Sequence, residues 1–228
     1  MWFSNIFDEN DPILNNNTPY ISTNDIIYII QDQKFDATPY KNMIINKIEW
    51  KKAIPLINVS FHYHILRDNN IPTLSEFIED YDRDNKSFLN LTPKEWIPGI
   101  KYRLVRSYPS LIRDVHFVNK TRELGYQTIH TLQLDLHGID AAIPIDNQKL
   151  LFRLFFNSKK SRKYLKNKTK SHKLNNYINF GLTKYNRIQI GDIFLYSDDS
   201  IEKIINNSIA GLLDKNEENK TKNGDKTL

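Results

Sequence analysis

The sequence predicts an α/β protein in which a mixed central sheet is flanked by helices and preceded by a mainly helical N-terminal region. Helix-capping residues recur through residues 1–100, whereas residues 126–196 alternate between apolar and polar positions and contain turn signals. The 228 residues are 39% hydrophobic and 26% charged, which is typical of one globular domain with a substantial accessory part. We therefore expect a helical region over 1–100, an α/β core over 101–213 and a disordered polar tail over 214–228.

The composition argues against several classes of protein. Because the chain has no cysteine, it forms neither disulfides nor iron–sulfur or cysteine-ligated zinc sites. Its seven glycines form neither GxGxxG nor GxxxxGK[ST], so a nucleotide-binding glycine loop is not expected. No apolar run approaches the roughly 20 residues of a membrane span, and the first residues are acidic where a secretory signal needs basic ones. We expect a cytoplasmic protein with no membrane association.

Capping signals predict four helices in the N-terminal region. Ser22 precedes an isoleucine-rich segment, Thr38 stands before a proline at the first helical position, and Thr73 opens a capping box. Thr92 opens a similar box that contains a proline. The Pro98-Gly99 pair is expected to end that last helix.

The segment Ala53–Leu66 allows two interpretations. Its second half alternates, which favours a strand, but a buried helix broken at Pro55 fits the same residues. On a strand, His62 and His64 would share a face as possible metal ligands, yet no third ligand accompanies them. We interpret both histidines, and His116 further along the chain, as structural residues.

In the second half of the chain, a helix is predicted to begin at Ser110 and to end at Gly125, a residue type common just beyond helix ends. Alternation then predicts five strands, with a turn at Asp146-Asn147 and a basic helix before the fourth: 126–136, 139–145, 150–156, 177–183 and 188–196. A last helix starts at Asp198. The turn predicts antiparallel pairing, and the basic helix allows a parallel neighbour.

Charge is unevenly distributed along the chain. Residues 1–100 carry 9 Lys and Arg against 14 Asp and Glu, whereas residues 101–228 carry 23 against 13. The segment from Asn157 to Lys173 holds eight Lys and Arg residues and no acid. We interpret it as a phosphate-binding surface for DNA, or for RNA, with these candidate contacts: Lys159, Lys160, Arg162, Lys163, Lys166, Lys168 and Lys170. A solvated helix is the simpler alternative, and the acidic N-terminal region would suit a basic protein partner.

A short motif stands at the start of the second predicted strand, where Asp140 follows His137-Gly138-Ile139. The preceding helix ends at Gly125-Tyr126 and carries Asp114 upstream of that pair. These residues and the order of elements resemble the PD-(D/E)XK nuclease superfamily, with resolvase-like and TaqI-like members nearest, from Ser110 to about Leu195. The resemblance implies a restriction-endonuclease-like fold and metal-dependent cleavage of DNA.

The resemblance further implies that carboxylates bind Mg²⁺ or Mn²⁺, because phosphodiester hydrolysis requires charge neutralisation and an activated water. Asp140 would be the main metal ligand. Asp135, on the other arm of the His137-Gly138 bend, and Asp114 would be auxiliary ligands. Arg153 and Lys163 would complete the catalytic set with Asp140 and Asp114 by holding the phosphate and stabilising the transition state.

One feature departs from the superfamily pattern. The third strand should carry an acid and a lysine two residues apart, but here Leu151, Arg153 and Phe155 share that face. We expect a metal-dependent DNA endonuclease acting in restriction, transposition or phage defence, or alternatively a catalytically inactive, nuclease-fold DNA-binding subunit. If neither applies, Asp140 is a strand-edge residue and Asp114 is a helix-face charge.

Overall fold

The computed structural model describes residues 12–35, 54–159 and 177–224 of the chain. The helices are, in order, α1 Pro12–Asn15, α2 Thr23–Ile30, α3 Ile57–Asp68, α4 Leu74–Asp84, α5 Lys86–Leu91, α6 Ile97–Glu123, α7 Leu132–Leu136 and α8 Asp198–Gly224, with a 3₁₀ turn at Lys94–Trp96 before α6. The strands are β1 Ala141–Ile145, β2 Gln148–Phe156, β3 Tyr177–Leu182, β4 Arg187–Ile190 and β5 Ile193–Tyr196. The predicted mixed α/β class is confirmed for these residues.

The main sheet is small and mixed, with the strand order β1-β2-β3. β1 and β2 form an antiparallel hairpin whose turn includes Asp146 at φ 50°, and β2 pairs with β3 in parallel. Strand β2 is therefore central, as its apolar sequence predicts. The predicted strand over 188–196 is instead two strands, β4 and β5, which form a separate antiparallel hairpin.

The strand predicted over 126–136 is wrong for most of its length. Only Ile129 pairs with the sheet, through an antiparallel bridge to Ala142 at the free edge of β1. The hydroxyl of Thr131 then accepts a hydrogen bond from the Leu134 amide and caps the short helix α7. This local capping interaction outweighs the alternating pattern, because a side-chain cap satisfies helical amides that a strand would leave for a partner strand.

Helix α6 is longer than the sequence predicts. It contains Pro98, expected to end one helix, and Ser110, expected to begin the next. Pro98 does not end a helix but lies in the first turn of α6, where a missing amide proton costs nothing. Ser110 is an interior residue and not a cap, since α6 continues through Pro109. The expected boundary between residues 100 and 101 also falls inside α6.

Other local predictions are confirmed. Ser22 accepts a hydrogen bond from the Asp25 amide, and Thr73 forms a complete capping box. Gly125 adopts φ 90° just beyond α6. The segment with two interpretations is a helix, α3, which begins after Pro55. The helix predicted at Thr38 lies outside the described residues, as does most of the basic helix.

Two clusters of buried apolar side chains hold these elements together. The first cluster joins α2, α3, α4 and the N-terminal half of α6 to the β4–β5 hairpin, and includes Phe61, Phe77, Tyr108, Ile193 and Leu195. The second cluster joins the C-terminal half of α6 to the main sheet and α8, and includes Phe117, Phe152, Phe180, Tyr196 and Ile201. Helix α6 is thus shared by both clusters.

Helix α8 extends through Gly224, past the boundary expected at residue 213. In the described ranges, no helix combines the length and the apolar character needed to cross a membrane.

Gly191 provides a test of how the β4–β5 hairpin docks on α2. It adopts φ 54°, and a Cβ atom added there would lie 2.8 Å from the Gln31 carbonyl oxygen. Because backbone atoms cannot move aside easily and the left-handed conformation is strained for alanine, we expect Gly191→Ala to lower the free energy of unfolding by about 2 kcal/mol or more. Urea denaturation measures this loss.

Gly211→Ala is the matched control. Gly211 lies within α8, and an added Cβ atom would meet nothing within 4 Å. Alanine is favoured over glycine inside a helix by roughly 0.5–1 kcal/mol, so this variant should be neutral or slightly stabilised. Equal effects of the two substitutions would contradict the docking of Gly191 on α2.

Candidate functional site

Asp140 lies immediately before β1 and is fixed to the neighbouring strand. Its backbone amide donates to the Phe152 carbonyl at 2.9 Å, and its Oδ2 accepts from the Leu154 amide at 2.6 Å. The carboxylate is half-buried. Two bonds to one strand hold the position of Asp140 relative to the carboxyl end of β2.

Asp114 lies on α6, and the structure places it in the same region as Asp140. Both charges act on the hydroxyl of Tyr196, a buried residue at the end of β5 whose Oη donates to the Phe180 carbonyl at 2.7 Å. Burial raises the pKa of Tyr196; the positive charge of Arg113 opposes this, and the charges of Asp114 and Asp140 add to it. Two acids that are distant in sequence are therefore both close enough for their charges to act on one phenol.

Arg153 lies in the interior next to the loop that leads to Asp140. Only 1% of its surface is exposed, its guanidinium stacks 3.5 Å from the centre of the Tyr177 ring, and its Nε donates to the Gly138 carbonyl at 3.0 Å. The Gly138 amide in turn donates to the Asp135 carbonyl. These contacts position the loop, whereas the resemblance implies that Arg153 contacts a phosphate.

Asp135 makes its contacts away from β2. Its Oδ2 accepts from Asn58 Nδ2 at 2.7 Å and lies 3.7 Å from His62 Nε2, both on α3. Burial would raise the pKa of Asp135, but the hydrogen bonds and charges of these neighbours and of His130 lower it overall. Asp135 therefore ties α7 to α3, and nothing in its contacts joins it to Asp140. Among the residues that the structure describes, no three His, Asp or Glu side chains are grouped to hold a metal ion.

His130 is a buried residue that sequence reasoning missed. Its ring centre lies 4.7 Å from that of His62, and its Nδ1 lies 3.2 Å from the Thr18 hydroxyl. Burial lowers the pKa of His130 well below its usual range. No local pattern links residues 18, 62 and 130, so only the tertiary structure brings them together.

His62 and His64 point to different partners, because residues two apart on a helix do not share a face. His64 Nδ1 lies 2.5 Å from Asp80 on α4, a carboxylate that Arg67 and Arg83 also contact. Burial alone would raise the pKa of Asp80, but His64 and the two arginines lower it overall. These groups join α3 to α4 and support the structural interpretation of His64.

The basic segment begins at the carboxyl end of β2. Lys159 is exposed there, a few residues past the strand partner of Asp140. The other candidate phosphate contacts lie outside the described residues: Lys160, Arg162, Lys163, Lys166, Lys168 and Lys170. Of the candidate phosphate contacts, the structure thus describes Lys159, five residues beyond Leu154.

Comparisons find no protein-family model, no curated protein and no solved structure that matches this chain. Function must therefore be inferred from the residues and their arrangement. The arrangement offers two acids whose charges reach one phenol, a loop before Asp140 that Arg153 holds, and the start of a basic segment after β2.

Acid should destabilise the protein through His116, which is 1% exposed on α6. Burial lowers the pKa of His116 to about 4, with smaller effects of Asp198, Lys120 and Glu123. The unfolded chain takes up a proton near pH 6.5 and the folded chain only near pH 4. The contribution of neutral His116 to the free energy of unfolding is thus complete above pH 6.5. About 3 kcal/mol of this contribution is lost as the pH falls to 4.

Urea denaturation from pH 7.5 to 4 measures this loss. His116→Leu should reduce the pH dependence of stability without abolishing it, because burial also lowers the pKa of His130, whereas the exposed His137→Gln should leave it unchanged. Carboxylates with a lowered pKa, such as Asp80 and Asp135, lose their stabilisation only at still lower pH. A wild-type stability that is flat between pH 6.5 and 4 would show that His116 is not buried as a neutral ring.

Proposed function

We propose that this protein is a metal-dependent endonuclease that binds DNA and hydrolyses its phosphodiester bonds, as in restriction, transposition or phage defence. The supporting observation is that Asp140 bonds to the Leu154 amide of β2 and Asp114 lies on α6, which packs against the same sheet, so that both charges reach the Tyr196 hydroxyl. The chain order of α6, β1, β2 and β3 supports the proposal in part, although a single bridge at Ile129 and the helix α7 stand where the resemblance implies a first strand.

The two acids fit the ligand chemistry of Mg²⁺ or Mn²⁺, because these hard cations prefer carboxylate oxygens and retain several waters. Asp140 and Asp114 would hold the ion, which when bound would neutralise charge on the scissile phosphate and activate a water. Arg153 would act as a positioning residue by holding the Gly138 carbonyl and hence the Asp140 loop.

The basic segment would bind the DNA backbone. It starts at the end of β2, so its first cations, beginning with Lys159, would lie beside the phosphate at Asp140. Lys163 would take the role of the lysine that β2 lacks. The charge of the segment carries no base specificity, and RNA would be bound by the same electrostatics.

A second function is favoured by the sequence of β2. The strand carries no acid, and the arginine on the relevant face, Arg153, is buried under Tyr177. A chain with these residues would bind DNA through the same basic segment without cutting it. It would then serve as the DNA-binding subunit of a larger complex.

Asp140→Asn should abolish cleavage of plasmid DNA in Mg²⁺ or Mn²⁺ while leaving DNA affinity within about twofold of wild type. Asparagine retains an oxygen that accepts the bond from the Leu154 amide, so the fold should survive, but it removes the charge that holds a cation. Asp114→Asn should reduce cleavage in the same way.

Asp146→Asn is the control, because Asp146 is exposed in the β1–β2 turn and asparagine tolerates its positive φ. This variant should cleave like wild type. If wild-type protein binds DNA but cleaves neither DNA nor RNA with either metal, the hydrolytic function is refuted and the binding function remains.

Neutralising Lys159, Lys160, Lys163 and Lys166 together should weaken binding to all DNA sequences equally. Each phosphate contact contributes roughly 0.9 to the slope of log affinity against log salt on duplex DNA, so the slope should fall by about 3 to 4. Binding measured at several salt concentrations gives both slopes.

The control variant neutralises four exposed lysines elsewhere: Lys86, Lys94, Lys149 and Lys203. It has the same net charge as the test variant, so it separates local contact from the overall charge of the protein. A merely solvated basic segment would give identical slopes for the two variants.

A further inference from the structure

All charged residues in the half of α6 that precedes Asp114 are basic. Between Ile97 and Asp114 the helix carries no acid and four cationic residues, namely Lys101, Arg103, Arg106 and Arg113. This is notable because residues 1–100 are acidic overall. The positive charge therefore begins on the same helix that carries one of the two acids of the proposed site.

Helical periodicity places part of this charge on the side of Asp114. Positions four, seven, eight and eleven residues before Asp114 lie on one face, and they are occupied by Ser110, Ser107, Arg106 and Arg103. Burial agrees with this assignment. Arg106 and Ser110 are exposed, whereas Leu104, Tyr108 and Ile112 on the other face are fully buried.

The four cations of this part of α6 differ in their surroundings. Lys101 pairs with Asp82 of α4 at 3.4 Å, and Arg113 is buried and donates to the Phe194 carbonyl. Arg106 lies over the Tyr102 ring at 5.4 Å, an arrangement that orients the guanidinium and preserves its charge. Arg103 and Arg106 thus form, with the two serines, a polar and positively charged stripe that ends at Asp114.

We propose that this stripe binds the backbone of the DNA to one side of the phosphate that lies at Asp114 and Asp140. The proposal rests on the proposed function and extends it. At 1.5 Å per residue, Arg106 lies about 12 Å and Arg103 about 16 Å along α6 from Asp114. If α6 lies along the duplex axis, where each strand rises 3.4 Å per nucleotide, these distances correspond to phosphates roughly three to five nucleotides away.

The chemistry of the stripe suits phosphates. Arginine donates two parallel hydrogen bonds to a phosphate, and serine hydroxyls commonly donate to backbone oxygens between such contacts. An acidic protein segment would need the positive charge alone. The alignment of the stripe with Asp114 on one face of α6 is the feature that favours a strand of nucleic acid, because one strand would contact both.

The first experiment measures binding of a random-sequence DNA duplex at several salt concentrations. The variant Arg103→Gln with Arg106→Gln removes two charges from α6, and Lys86→Gln with Lys94→Gln removes two exposed charges elsewhere. Two phosphate contacts contribute roughly 1.8 to the slope of log affinity against log salt, so only the arginine variant should lose about that much. Equal slopes for both variants overturn the proposal.

The second experiment replaces single phosphates of a cleavable duplex by neutral methylphosphonates. Wild-type cleavage should slow when the neutral linkage lies about three to five nucleotides to one side of the cut, and the arginine variant should be insensitive there. Equal sensitivity of wild type and variant overturns the proposal. A reduced slope without any wild-type cleavage refutes the hydrolytic function and retains the backbone contact. Absence of DNA binding by the wild-type protein overturns both the proposed function and the backbone contact of the stripe.

Discussion

Helix α6 contributes to both hydrophobic clusters, and this shared packing sets the relative positions of the other described elements. Tyr108 and Ile112 pack among the N-terminal helices and the β4–β5 hairpin, whereas Phe117 packs against the main sheet. Asp114 lies between these two sets of contacts. Because α6 is held on both sides, Asp114 cannot shift relative to Asp140 without disturbing one of the clusters. The position of Asp114 relative to the main sheet is thus a consequence of core packing.

The C-terminal turn of α6 adds polar contacts to this apolar packing. Asn119 accepts from the Ile21 amide, Glu123 accepts from the Thr23 amide and hydroxyl, and Arg122 donates to the Pro19 and Thr128 carbonyls. Burial lowers the pKa of Arg122 to about 10. A largely buried cation that lost its carbonyl partners would leave an unsatisfied buried charge, which is strongly destabilising. Arg122 therefore fixes the segment before α2 and the segment before α7 to the C-terminal end of α6.

Sequence reasoning succeeded where the deciding interaction is local. The caps at Ser22 and Thr73 bond to amides within three residues, and Gly125 needs only its own positive φ. It failed where distant packing decides. Continuity of α6 through Pro109 depends on two cores that no local window contains. Asp140 was selected because it follows Gly138 at the start of β1, and Asp114 because it lies on the helix that ends before Gly125; their role in a metal site stays a prediction. Asp135 was assigned to the wrong neighbours, since its partners on α3 lie more than seventy residues earlier in the chain.

The placement of Arg153 bears on how a hydrolytic site would be completed in this sheet. The resemblance would require an acid and a lysine on β2, whereas Arg153 on this strand is turned inward to Tyr177 and Gly138. The buried charge is thereby offset by a ring face and a carbonyl, and it supports the loop before Asp140. A positive charge at the scissile phosphate would then have to come from another element. The segment that follows β2 contains an exposed lysine, Lys159, and α6 carries Arg103 and Arg106 on the N-terminal side of Asp114. The two sources of charge would flank the acids, so the sheet itself needs to supply only Asp140.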